Sequence, residues 1–399
     1  MKKRLNLENL LQIFNEYAEL PSLKTLHEPC FKGNEWEYVK QCIDTGWVSS
    51  SGQFVDRFEK NLSDYTGANY AIATSNGTAA LHISLLLAGV QPGDEVLVPT
   101  LTFVATCNAI RYCAATPHFI DSDPINLGID AQKLAIYLKE TTQIKKGVCY
   151  NKKTHQPIRA LCVMHTFGHP ADLDALAEIA NQYHLMMIED AAEALGSYYK
   201  GKHVGYDGLM GILSFNGNKI VTTGGGGAIL TQNQEIAKKA KHFTTTAKIP
   251  HKWRFYHDQV GYNYRLPNIN AALGCAQLEK IEYFLKAKRA LALEYQKRFE
   301  HVEDVSFFIE PAYAKSNYWL NAILLDTKYA YLHDDLLTNL NQQNIGVRPT
   351  WDLMHSLPMY QHSPKMDLSH AENLAKTLIN IPSSVMLGEK YACQQSICV

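Results

Sequence analysis

A chain of 399 residues, 46% hydrophobic and 19% charged with a formal net charge of −1, has the make-up of an ordinary globular protein large enough for two domains. This neutral balance gives no electrostatic footprint for nucleic acid or an anionic membrane surface, although a local cationic patch could still serve a phosphorylated ligand. The nine cysteines form no CxxC pair, which argues against zinc ribbons and redox motifs and for reduced thiols in the cytoplasm.

The N-terminus, MKKRLNLENLLQIF, starts basic, but Asn, Glu and Gln interrupt the apolar run that a signal peptide would need. Residues 5–20 read instead as a short amphipathic helix with Leu7, Leu10, Leu11 and Phe14 on one stripe. No stretch approaches the roughly 18 apolar residues of a membrane span. From about 69 to 231 short apolar strands alternate with helical patterns. Strands are expected at 69–74, 95–99, 116–120, 158–165 and 185–189, and helices at 76–87, 102–113, 130–139 and 172–184. Such alternation predicts a mostly parallel sheet with helices on both faces. Further strands at 209–215 and 228–231 bracket a run of four glycines. Beyond them the pattern changes to α+β, with a long helical stretch at 268–301 broken near 283, strands at 317–325 and 345–347, and a helix at 334–343. The expected organisation is an N-terminal helical extension (1–27), a large domain (28–270) and a small α+β domain (271–399).

Four segments carry candidate chemistry. In Ser214-Phe215-Asn216-Gly217-Asn218-Lys219 a strand delivers a lysine into a loop ahead of the glycine run, where glycine lets a ligand approach the backbone closely. A surface lysine beside a flexible turn is the ordinary alternative. The strand Leu185–Glu189 runs into Asp190 at the carboxyl end, where ligands sit in doubly wound folds and where a carboxylate can hold a protonated heterocyclic nitrogen; capping of the next helix is the plainer use. Ser75-Asn76-Gly77-Thr78 opens a helix whose free N–H groups suit a phosphate, or are simply N-capped. Phe103, just past a strand end, can stack on a flat ring or fill core.

In this order the segments resemble the DegT/DnrJ/EryC1/StrS family of sugar aminotransferases from about residue 28 onward. Supporting stretches are Gly46-Trp47-Val48-Ser49-Ser50, Gln91-Pro92-Gly93-Asp94-Glu95-Val96, Phe119-Ile120-Asp121-Ser122-Asp123-Pro124 and Gly261-Tyr262-Asn263-Tyr264-Arg265-Leu266. The resemblance implies the aspartate-aminotransferase-like fold, pyridoxal 5'-phosphate as cofactor, and a nucleotide-sugar substrate. It implies Lys219 as the cofactor-bonding lysine and the carrier of the proton shift, Asp190 against the pyridine nitrogen, Gly77, Thr78 and Ser214 at the phosphate, and Phe103 on the ring. Glu193 stands where many relatives have Gln or His near the cofactor hydroxyl. Asn263 implies a homodimer, since this asparagine reaches the phosphate of the neighbouring subunit's cofactor. The Ser-Phe-Asn-Gly-Asn-Lys block, the four glycines and the Thr-Thr-Thr-Ala-Lys segment at 244–248 look most like the legionaminic-acid-pathway members. They imply amination of a UDP-linked 4-keto-6-deoxy N-acetylhexosamine with L-glutamate as donor. A GDP-sugar or a free keto-cyclitol remains an alternative acceptor. Sugar 3-dehydratases of this fold carry His at the lysine position, which Lys219 disfavours, and a non-catalytic sensor or scaffold would leave the complete site without use.

Other features carry less. His165 and His169 lie four apart in a Gly- and Pro-containing loop without a third ligand, so no metal is expected; His165, just past a strand end, is expected in the wall of the active site. The mixed cationic and aromatic run at 248–257 fits a nucleotide-diphosphate or subunit surface better than nucleic acid. Arg348 could meet substrate or end a strand. Tyr262, Tyr264 and Tyr318 fit packing as well as recognition.

Overall fold

The computed structural model describes residues 7–394. Its centre is a nine-stranded sheet. Seven strands form its main path: β1 (Tyr70–Thr74), β2 (Glu95–Pro99), β3 (Thr116–Ile120), β4 (Pro157–Met164), β5 (Met186–Asp190), β6 (Met210–Ser214) and β7 (Gly227–Thr231). Their spatial order is β1-β7-β6-β5-β4-β2-β3, and a hairpin of Thr142–Lys145 and Val148–Asn151 branches from β4. The pairs β6–β5, β5–β4, β4–β2 and β2–β3 are parallel, whereas β7 runs antiparallel to both β1 and β6. The strands are nearly continuous in buried Val, Ile, Leu and Ala, as a sheet covered on both faces requires.

This order decides where the site lies. β1, β2, β5 and β6 all finish at one edge of the sheet, and the start of β7 enters between the ends of β1 and β6, where Gly227 pairs with both Thr74 and Ser214. A side chain on Gly227 would lie 2.5 Å from the Asn76 carbonyl carbon, so the last glycine of the run lets β7 pass under the start of helix Gly77–Leu87.

The second sheet has four antiparallel strands in the order Val305–Phe307, Asn321–Leu325, Leu378–Ile381, Arg348–Pro349. Its core gathers Phe284, Tyr295, Phe307 and Ile323, together with Leu10, Phe14 and Tyr17 from the N-terminal segment. The amphipathic stripe near the N-terminus therefore has a definite partner: Phe14 and Tyr17 meet the Tyr295 ring at 6.0 and 5.9 Å. That helix runs Leu7–Phe14 and continues as a 3-10 turn, Asn15–Tyr17; its expected first two residues lie outside the described ones.

Several boundaries differ from expectation for identifiable reasons. The long helix, expected to break near 283, breaks at 279–280, where Glu279 is held by Asn34 and Tyr38, at the start of and within helix Glu35–Thr45, and by Arg57 of helix Gln53–Thr66, two helices not expected from the sequence. The strand expected from 317 starts only at Asn321, since Asn317 turns back to bond the carbonyls of Glu193 and Leu195. The short strand expected at 345–347 forms instead at Arg348–Pro349. No helix among the described residues is long and apolar enough to cross a membrane.

Candidate active site

At the carboxyl edge of the large sheet lies a cavity of about 310 Å³. Seven of the eight residues singled out from the sequence line it: Gly77, Thr78, Phe103, Asp190, Glu193, Ser214 and Lys219. Asn263 does not; it is exposed, bridged to Thr245, and outside the cavity of its own chain.

Lys219 sits at the end of a tight turn, its N–H donating to the Asn216 carbonyl at 3.0 Å. Its Nζ lies 3.4 Å from Glu193 Oε1 and 4.0 Å from the centroid of the Trp319 ring. Trp319 is itself fixed, since its Nε1–H donates to the Asn218 carbonyl at 2.8 Å. The amine is thus confined between a carboxylate and an aromatic face, which restricts the rotamers of a flexible side chain.

Asp190 ends β5 and is 3% exposed. Thr106 Oγ1 donates to its Oδ2 at 2.8 Å and the Ala192 N–H to its Oδ1 at 3.2 Å. Burial raises its pKa, against the opposing pull of the Thr106 hydroxyl, the Ala192 N–H and the Lys219 charge. Such a carboxylate favours a cationic partner in the cavity. Helix Gly77–Leu87 points its N-terminus at the same space. Asn76 Oδ1 accepts from the Ala79 N–H at 2.8 Å, while the N–H groups of Gly77 and Thr78 have no acceptor within the helix. Ser214 stands beside them, its Cβ 3.0 Å from where a Cβ on Gly77 would be. An anion-seeking helix start, a buried carboxylate and a confined lysine around one cavity fit the phosphate, ring nitrogen and aldehyde of pyridoxal phosphate respectively.

Glu193 is buried; its Oε2 accepts from the Phe167 N–H at 2.9 Å. Burial pushes its pKa up to about 7, against the Lys219 charge and the Phe167 N–H. This lies above the ordinary glutamate value of about 4.3, so the ionised form is disfavoured in the fold. Stability of the cofactor-free protein is full below that ordinary value and erodes as pH rises through about 7. Glu193→Gln removes the erosion. Its cofactor-free Tm should exceed wild type by roughly 2–5 °C at pH 8, the gap narrowing toward pH 5. A gap independent of pH would assign Glu193 to packing alone.

The sequence reading missed Thr106, Trp319 and Trp351. Thr106 closes the Pro99–Thr106 segment, one helical turn after Phe103, a spacing that hints at a shared face. Trp319 and Trp351 arrive from segments beside the second sheet and have no local signature; Trp351 lies 6.1 Å from Phe103 and 4.9 Å from Phe167, centroid to centroid. His165 is not part of the cavity wall. It lies fully buried, its Nε2 3.1 Å from Glu189 Oε2 and its Nδ1 accepting from the Ala171 N–H. His169 packs edge-on against Phe308 and Tyr318. No group of three His, Cys, Asp or Glu able to hold a metal occurs among the described residues.

The profile of the DegT/DnrJ/EryC1/StrS aminotransferase family matches residues 29–395. The chain belongs to this family. It is an aminotransferase of nucleotide-sugar pathways, and its cofactor is pyridoxal phosphate. A GDP-perosamine synthase of Escherichia coli O157:H7 is 37% identical over 372 residues, covering 92% of this chain and 96% of the relative. One from Caulobacter vibrioides is 36% identical over 375 residues, covering 93% and 96%. Bacillus subtilis EpsN, described as a putative pyridoxal phosphate-dependent aminotransferase, is 34% identical over 370 residues, 91% of this chain and 92% of the relative. Among solved structures, the aminotransferase TlmJ of Streptoalloteichus hindustanus superposes with a TM-score of 0.82 at 25% identity, covering 93% of this chain and 96% of that one.

Proposed function

We propose that this aminotransferase aminates a GDP-linked 4-keto-6-deoxy sugar, with L-glutamate as donor, in the cytoplasm and as a homodimer, in the biosynthesis of a surface glycan. The observation that carries the reaction is the juxtaposition of the Lys219 amine, the Glu193 carboxyl and the Trp319 ring above a cavity that Asp190 closes. The nucleotide rests on the relatives: those at 36–37% identity over more than nine-tenths of the chain are GDP-perosamine synthases, which favours GDP over the UDP-linked acceptor expected from the sequence.

Bound pyridoxal phosphate supplies the electron sink that makes a carbon-bound proton of the donor acidic. The chain supplies the rest. Lys219 is the residue that would hold the cofactor's aldehyde, and its Nζ would serve as the group that moves the donor's proton. Glu193 and Trp319 would keep that amine in place in the cavity. Asp190 holds the charge on the ring nitrogen. Gly77, Thr78 and Ser214 hold the phosphate, and Phe103 covers the ring.

Asn263, exposed and away from its own cavity, is assigned to the partner subunit's cofactor phosphate. Exposed apolar side chains such as Trp36, at 80%, and Phe255, at 82%, support a buried subunit surface. The eight described cysteines form no disulfide, which suits a reducing compartment. If the sites are shared, mixing inactive Lys219→Ala with an impaired Asn263→Ala variant should regain activity, because each mixed dimer holds one intact site. Mixtures no more active than their parts, with subunit exchange shown by differently tagged chains, would place Asn263 outside the partner subunit's site.

The acceptor is tested by following the visible absorbance of the holoenzyme. L-glutamate should bleach the cofactor band, and GDP-4-keto-6-deoxymannose should restore it. Restoration by the UDP-4-keto-6-deoxy N-acetylhexosamine alone would overturn the nucleotide assignment.

A further inference from the structure

A second cavity, of about 500 Å³, adjoins the first and shares Asn218, Trp319 and Trp351 with it. Its wall carries two cations, Lys24 and Arg348, and no carboxylate. It also carries His27, which is only 7% exposed and whose two ring nitrogens find no hydrogen-bond partner among the described residues. A buried polar ring without partners costs stability, so a native protein that retains one invites a functional reason.

The segment that delivers His27 is fastened along its length to residues flanking the second sheet. The Leu23 carbonyl accepts from the Gly346 N–H at 2.8 Å, the Leu26 carbonyl from the Ser383 N–H at 2.6 Å, and the Glu28 N–H donates to Ser384 Oγ at 3.1 Å. A Cβ on Gly346 would lie 2.4 Å from the Lys24 carbonyl carbon, so glycine is required for this approach. The buried Lys288 ties the wall together, its Nζ donating to the carbonyls of Ser383 at 2.6 Å and Trp319 at 3.1 Å. Burial first, and then Lys288, hold the His27 pKa well below the ordinary histidine range, against a pull from the Asn218 carbonyl. That carbonyl is already engaged by the Trp319 indole. The ring is therefore neutral, with one donor and one acceptor to offer.

One donor and one acceptor match a hydroxyl group, which can accept from one ring nitrogen or donate to the other. Two cations without a carboxylate match a diphosphate. We propose that this second cavity receives the diphosphate-linked pyranose of the acceptor, with His27 hydrogen-bonding a sugar hydroxyl and Lys24 and Arg348 facing the diphosphate. The N-terminal segment is then part of the substrate site, and the reactive carbon enters the cofactor cavity past Asn218 and Trp319. The inference rests on the acceptor being a nucleoside diphosphate sugar.

The test measures binding of GDP and of GDP-mannose to the holoenzyme by calorimetry, beside the rate of the glutamate half-reaction. His27→Phe should weaken GDP-mannose about tenfold and leave GDP unchanged. His27→Gln, which keeps a neutral donor and acceptor, should recover part of the loss. Lys24→Ala with Arg348→Ala should weaken both ligands about tenfold or more. The glutamate half-reaction should keep its rate in every variant. GDP-mannose binding unchanged in both His27 variants, or a matching loss for GDP, would overturn the role of His27. A glutamate half-reaction slowed in proportion would assign the cavity to the donor's carboxylates or to the fold. A wild-type holoenzyme that binds neither GDP and GDP-mannose nor UDP and UDP-N-acetylglucosamine, while glutamate still bleaches its band, would overturn this inference; binding of the UDP ligands alone would overturn the GDP assignment and move the same His27 test to them.

Discussion

Lys219→Ala is expected to lower turnover by about 10⁴-fold or more, the combined loss of a covalent handle and a proton carrier. The structure indicates why no neighbour would substitute. Glu193 Oε1, 3.4 Å from Nζ, is the nearest titratable group to the amine, and its other oxygen is already committed to the Phe167 N–H. Lys219→Arg separates chemistry from charge. The guanidinium keeps a cation beside Glu193 and over the Trp319 ring, but it neither bonds an aldehyde carbon nor deprotonates near neutrality. Both variants should therefore lose turnover to a similar degree and should lack the visible band of the lysine-bonded cofactor. The Arg variant should keep more of the wild-type thermal stability. An Arg variant retaining a tenth or more of wild-type turnover would show that Lys219 acts through its charge. An Ala variant retaining that much would remove the assignment altogether.

How much of this was legible in the chain depended on how local each signal was. Lys219, Asp190, Gly77 and Phe103 each follow directly from the end of a strand, and the alternation of apolar strands with amphipathic helices already orders those ends along one edge. Their convergence in one cavity is therefore a consequence of a parallel sheet. Trp319, Trp351 and His27 have no such rule. They reach the site from the second sheet and the N-terminal segment, through contacts between residues more than a hundred positions apart, such as Trp319 Nε1 on the Asn218 carbonyl and the Ser383 N–H on the Leu26 carbonyl. The 317–325 stretch illustrates the conflict. Its composition reads as one strand, but its first four residues are taken by bonds from Asn317 to Glu193 and Leu195, and only Asn321–Leu325 enters the sheet. Helix Gln53–Thr66 has no counterpart among the elements expected from the sequence, although its buried face at Phe54, Phe58 and Leu62 has ordinary helical spacing.

Asp190→Asn should cost about 10³-fold in turnover, the scale of removing one preorganised charge from a developing transition state, and it should do so without disturbing the fold. The substituted side chain retains an acceptor for the Ala192 N–H. Its amide can donate to the Thr106 hydroxyl, which already lies 2.9 Å from Thr102 Oγ1 and can turn toward it. Stability then moves opposite to activity. In the cofactor-free protein the Asp190 pKa is raised, chiefly by burial. Its contribution to stability is thus complete below the ordinary aspartate value of about 3.9 and declines as pH rises through the raised one. At neutral pH the cofactor-free Asp190→Asn variant should melt above cofactor-free wild type, and the difference should vanish in acid. Cofactor binding should reverse the order, because only the carboxylate gains a cationic partner in the cavity. Melting curves at about pH 3.5 and about pH 7.5, with and without pyridoxal phosphate, separate the cases. A variant that melts lower in all four conditions would make Asp190 a structural cap on the turn after β5. A crossing of the two proteins on adding cofactor is the behaviour of a buried charge kept for a ligand.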